Sequence, residues 1–116
     1  AQHSRRGVCA LAEVLSIDEL RDRIDVIDNQ LVRLLNVRVA CAVEIGKLKH
    51  ELGMPVYQPD REKKVLEKVR QSAQDLAGPL TCEAVVRIFE RIIDEARRAE
   101  RESGSTREDF GPSIGE

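Results

Sequence analysis

Aromatic side chains are scarce in this chain of 116 residues: it has no tryptophan, and Tyr57, Phe89 and Phe110 make up its 3% aromatic content. That argues against a platform on which nucleobases could stack. An excess of one charge is missing too, since 19 Lys+Arg against 21 Asp+Glu leave a net charge of -2. No basic field exists to hold a nucleic-acid backbone, so a nucleic acid is not an expected partner. The three cysteines, Cys9, Cys41 and Cys82, are far apart and odd in number. They read as reduced thiols of a cytoplasmic protein rather than a disulfide framework. His3 and His50 have no second His or Cys at ligand spacing, which speaks against a zinc site. Long apolar runs are lacking as well. The stretch Gly7 to Leu15 contains Glu13 and is too short to span a bilayer, so no membrane association is expected. Arg5-Arg6 ahead of it is not followed by a small-residue cleavage site before Asp18 and is not read as a secretory leader.

What remains, 41% hydrophobic and 34% charged, suits one domain with a modest core. Ser16 and Glu19 form a capping box, in which hydroxyl and carboxylate satisfy the first free amides of a helix. From Leu20 the apolar residues run Ile24, Ile27, Leu31, Leu34, then Cys41, Ile45, Leu48 and Leu52, in steps of three and four interrupted at position 38. No proline intervenes before Pro55, and Gly53 suits a C-terminal cap. The spacing predicts one helix over 17–52, with Gly46 as its internal weak point.

Met54 to Gln58 reads as a connector, and Pro59 suits the first turn of a second helix. Val65, Leu66, Val69, Ala73 and Leu76 give that helix an inner face. Ala77-Gly78-Pro79 breaks the chain, and Thr81 caps a third helix entered through a Leu80–Val85 hydrophobic staple. Its inner face is Val85, Ile88, Phe89, Ile92, Ala96 and Ala99. Residues 1–15 and 103–116 are expected to be disordered extensions of a helical domain over 16–102. The fold class is all-α with three helices. The first helix would be about 54 Å long, whereas a compact monomer of this length has a radius of gyration of about 13 Å. Its apolar stripe can be covered only by a second copy, which predicts an intertwined homodimeric bundle.

Arg38 breaks the pattern, standing where the repeat asks for an aliphatic residue. A guanidinium there needs an anion, either a carboxylate such as Asp28 or Glu44 of a neighbouring helix or a bound ligand. Lys49 follows eleven residues later, about three turns on and on nearly the same face, although its stem could equally cover Leu48 and Leu52 below a solvated ammonium. Arg61 and Glu62 open the second helix, and a tight connector would carry them back toward the end of the first. Taken alone they are ordinary first-turn charges. Arg21 precedes Arg38 by about 25 Å of helix. It could serve the same small ligand only from a partner chain.

The segment LRDRIDVIDNQLVRLLNVRVACAVEIGKLKHELGMPVYQPDRE, with IFERIIDEARRAE near the end, resembles chorismate mutase of the all-helical AroQ type over residues 17 to 101. Arg21, Arg38, Lys49, Arg61 and Glu62 fall at matching places without a gap. The resemblance implies isomerisation of chorismate to prephenate in phenylalanine and tyrosine biosynthesis, by a Claisen rearrangement that uses no metal or cofactor. It assigns Arg38 and the partner's Arg21 to the substrate carboxylates, places Arg61 near a carboxylate, and lets Glu62 accept the ring hydroxyl. Lys49 becomes the donor to the ether oxygen, and Glu100 a second donor where some relatives carry glutamine. A carboxyl donates only when protonated, so Glu100 needs a pKa raised by burial.

Gln58 stands where some relatives have aspartate and Ala96 where some have serine; the backbone N–H of Gln58 remains a candidate contact. Two other readings stay open: an isochorismate pyruvate-lyase of the same fold, favoured less by the GKLKHELGMPVYQPDRE run, and a non-catalytic helical dimerisation module. Similar domains occur alone or fused to prephenate dehydratase or to the first shikimate-pathway enzyme, which leaves a larger partner enzyme open.

Overall fold

The computed structural model describes residues 15–55 and 57–107. The expected N-terminal extension up to residue 14 and the tail after Arg107 lie outside the described residues. Three helices follow in order: α1 over Ile17–Leu52, α2 over Pro59–Leu76 and α3 over Cys82–Arg107. There is no strand among the described residues. No helix among them is long and apolar enough to cross a membrane.

The caps form as the residue types dictate. Ser16 N donates to Glu19 Oε1 at 2.9 Å and Glu19 N donates back to Ser16 Oγ at 3.1 Å, which closes the capping box at the start of α1. At its other end Met54 N donates to the Lys49 carbonyl at 2.8 Å and Gly53 N to the His50 carbonyl at 3.2 Å, with Gly53 at φ +71°. That pair of bonds is a Schellman motif, and the left-handed residue it needs is the glycine. Pro59 opens α2, and the Thr81 Oγ1 accepts from Ala84 N at 3.0 Å to cap α3.

At the end of α2 the Ala77-Gly78-Pro79 break begins with Ala77 in the left-handed conformation (φ 49°, ψ 55°), its N–H bonding the Ala73 carbonyl at 3.0 Å. Leu76, expected on the inner face, is 82% exposed because it sits at the last helical residue, where the chain turns away. The third helix also outlasts its expected end near Arg101. Ser103 to Thr106 are weak helix formers, but none of them breaks a helix outright, and the next proline is Pro112.

The chain divides between Asn36 and Val37 into two units. In the first, α1 presents Ile24, Ile27, Leu31 and Leu34 to solvent, Leu34 at 65% exposure. In the second, α2 packs against α3. The pairing is antiparallel: Arg70 late in α2 meets Glu83 early in α3 at 3.3 Å, and Glu62 early in α2 meets Arg97 late in α3. Between these pairs Val65, Leu66, Val69, Val85, Phe89 and Ile92 are half-buried. Ala96, at 5% exposure, is the one buried hydrophobic residue among those described.

A left-handed alanine is strained by about 1–2 kcal/mol relative to glycine, partly offset by the extra freedom glycine brings to the unfolded chain. Ala77→Gly should therefore stabilise the fold by about 0.5–1 kcal/mol. Urea denaturation at fixed protein concentration reads this as a higher midpoint with an unchanged slope.

Candidate active site

An open cleft of about 990 Å³ lies in the second unit, walled by the C-terminal part of α1, the connector, the start of α2 and the end of α3. Local helical spacing explains who faces it. Arg38, Ala42, Gly46 and Lys49 recur at steps of four and three on α1, and on α3 Ala96 and Arg97 lie three and four residues from both Ile93 and Glu100. Gln58 leaves the connector toward the cleft, and Arg61 and Glu62 enter it from the first turn of α2. Of the residues singled out in the sequence, Arg38, Lys49, Gln58, Arg61, Glu62 and Glu100 are thus brought together. Arg21 lies in the first unit, exposed, and is not among the lining residues.

Arg38 is half-buried in the wall, and among the described residues no carboxylate of this chain forms an ion pair with it. The intrachain version of the structural reading, a pair with Asp28 or Glu44, is absent among those residues. Glu62 is engaged: Arg97 Nη2 donates to its Oε2. Arg97 Nη1 donates to Asp94 Oδ1 at 3.0 Å, and the Arg97 guanidinium stands 5.9 Å from the centroid of the Tyr57 ring. Hydrogen bonding to Glu62 drives the Arg97 pKa further above its ordinary value, so the guanidinium remains charged.

Glu100 approaches the glycine of α1. A Cβ built on Gly46 would stand 3.6 Å from Glu100 Cγ and 3.8 Å from its Oε1, ordinary contact distances. Burial pushes the Glu100 carboxyl above the usual carboxylate range, against the attraction of Lys49 and Arg97 and with a smaller push from Glu62. The direction is the one a proton-donating carboxyl requires. The cleft therefore combines fixed cations with one acid biased toward its neutral form, a combination that binds a small polyanion and can still donate a hydrogen bond to it. No group of His, Cys, Asp and Glu that could hold a metal occurs among the described residues.

Arg97 and Tyr57 escaped the sequence reading. The signal was available in part: Arg97 shares a helix face with Ile93, Ala96 and Glu100, so following the face of Glu100 backward leads to it. Its partner Glu62 lies 35 residues away, and no local spacing announces that pairing.

A model of the family described as chorismate mutase type II matches residues 20–101 of the chain. The bifunctional chorismate mutase/prephenate dehydratase of Aquifex aeolicus is 36% identical over 86 residues, covering 73% of this chain and 24% of that protein. The T-protein of Enterobacter agglomerans is 35% identical over 91 residues, covering 78% of this chain and 24% of the relative. This chain thus spans about a quarter of the length of those two relatives. Among solved structures, a chorismate mutase (form II) from Thermus thermophilus superposes with a TM-score of 0.68 at 32% identity, covering 72% of this chain and 92% of that one.

The raised Glu100 pKa carries a sign for stability. The folded state holds the Glu100 proton to higher pH than the unfolded chain does, so this group's contribution is full in acid and lost as pH rises through its folded value. Glu100→Gln removes that loss. The variant should gain stability relative to the parent as pH rises from acid to neutral, seen as a widening gap between thermal midpoints measured across that range.

Proposed function

Because the chain belongs to the chorismate mutase type II family, we propose that it isomerises chorismate to prephenate, in phenylalanine and tyrosine biosynthesis. The observation that carries this reading is the convergence of Arg38, Lys49, Arg61, Glu62 and Glu100 on one cleft. Chorismate has two carboxylates, a ring hydroxyl and an ether oxygen, and each finds a complementary group. The Arg38 guanidinium fork holds one carboxylate in a fixed orientation, which a lysine would not do. Arg61 lies near a carboxylate, Glu62 accepts the ring hydroxyl, and the backbone N–H of Gln58 adds a contact. Fixing both carboxylates presses the substrate into the folded, diaxial shape in which the two reacting carbons meet.

The rearrangement breaks the ether C–O bond as the new C–C bond forms, with no proton or electron entering or leaving. Negative charge grows on the ether oxygen during that step. Lys49 donates to it as an ammonium and Glu100 as a neutral carboxyl, contacts that strengthen in the transition state more than in the ground state. The burial that raises the Glu100 pKa supports this assignment.

The second carboxylate falls to Arg21 of a second copy of the chain. Support comes from the open apolar stripe of α1, where Ile24, Ile27, Leu31 and Leu34 are all exposed within one chain. A second α1 laid along that stripe covers it and delivers the partner's Arg21 to the cleft. The free Cys41 and Cys82 thiols agree with a cytoplasmic enzyme.

Loss of chorismate absorbance with identification of the product tests the reaction directly. Prephenate is the expected product; pyruvate released from isochorismate, with chorismate untouched, would replace the mutase by a lyase. Lys49→Ala should lower kcat by about a hundred- to a thousandfold, the scale of removing one preorganised donor. Arg21→Ala should be similarly impaired. Refolding the two variants together should restore about a quarter of wild-type activity, since half the dimers are mixed and one of their two sites is intact. No recovery in confirmed mixed dimers would show that Arg21 and Lys49 act in the same chain. The rate should also decline as pH rises and Glu100 ionises, and Glu100→Gln should flatten that decline.

A further inference from the structure

The Arg70–Glu83 and Arg97–Glu62 pairs both tie α2 to α3, and they differ in setting. Arg70 and Glu83 sit outside the cleft with side chains 50% and 67% exposed. Arg97 and Glu62 are 33% and 30% exposed and both line the cleft. A tie between helices needs no such placement. Arg97 is moreover held on three sides, by Glu62 through Nη2, by Asp94 through Nη1 and by the Tyr57 ring, so its guanidinium has little rotational freedom left. Glu62 alone is a flexible carboxylate in the first turn of α2. Bonded to Arg97 it has one oxygen anchored and a fixed plane.

We propose that Arg97 is a positioning residue for Glu62: it anchors Oε2 so that Oε1 is presented to the substrate's ring hydroxyl. This rests on the mutase reading, in which Glu62 accepts that hydroxyl. Tyr57 extends the device to the connector, because the ring beside Arg97 belongs to the segment that carries Gln58 into the cleft. One guanidinium thereby sets the connector and the first turn of α2 against the face of α3 that bears Glu100. Arg97 also supplies positive charge beside Glu62, a carboxylate that would otherwise repel an incoming dicarboxylate.

The test is a double-mutant cycle between Arg97→Ala and Glu62→Gln, with Arg70→Ala as the control for a plain interhelical tie. Arg97→Ala should lower kcat/KM by about ten- to a hundredfold, the range for one charged hydrogen bond, mainly through KM because the hydroxyl contact serves ground and transition states alike. Arg97→Lys should recover part of that loss, and Arg70→Ala should leave kcat/KM unchanged. In the Glu62→Gln background, Arg97→Ala should cost no more than about twofold further. Equal losses in both backgrounds would overturn the proposal while leaving the mutase reading intact. Nitrogen-15 spectra of the arginine side chains give a readout independent of turnover: Arg97 should show slowed guanidinium rotation in the wild type and fast rotation in Glu62→Gln. A wild-type protein with a freely rotating Arg97 overturns the positioning role. A wild-type protein with a pinned Arg97 and no reaction on chorismate overturns only the assigned substrate.

Discussion

An aliphatic stripe that a single chain leaves open is the constraint from which the rest of the molecule follows. α1 runs for 36 residues without proline, and its Ile24, Ile27, Leu31 and Leu34 are exposed within one chain. Within one chain Ala96 is the one buried hydrophobic among the described residues. Hydrophobic burial at this scale cannot hold a domain together by itself. The proposed second copy of the same helix would cover a stripe of this length and period.

Charge takes over where the apolar pattern stops. On α1 the stripe is interrupted at Arg38, and from there to Lys49 the same helical face lines a cleft. The cleft's electrostatics are not those of a simple cationic patch. Arg97 holds Glu62 by a charged hydrogen bond, and Glu100 lies beside Gly46, where burial raises its pKa against the attraction of Lys49 and Arg97. A rearrangement that moves no protons needs fixed dipoles and charges more than it needs titrating groups. Helices suit that requirement: each site group projects from a helix or its first turn, apart from the connector's Gln58, so orientation is set by backbone geometry rather than by loop closure.

Much of this was legible in the residue order. The capping box at Ser16, the glycine turn at Gly53, Pro59 and the Thr81 cap all act over three or four residues, and each helix start follows the local rule. Residue type was a poorer guide at the helix ends. Ala77 takes the left-handed turn although Gly78 stands beside it, and α3 carries on through Ser103-Gly104-Ser105-Thr106 because weak propensity is not a stop. Leu76 shows the same limit, being apolar in pattern and exposed in fact.

The sequence by itself determined the three helices, the odd cation at position 38 and the family to which these residues belong, since helix caps and periodic faces are short-range features written in neighbouring positions. Tertiary structure alone decided that Arg97 pairs with Glu62, that Tyr57 lies beside the same guanidinium, and that Glu100 lies beside Gly46 with its carboxyl partly desolvated by burial. Those contacts join residues tens of positions apart, and their strength depends on how much water the packed helices exclude, a quantity that exists only once the chain has folded.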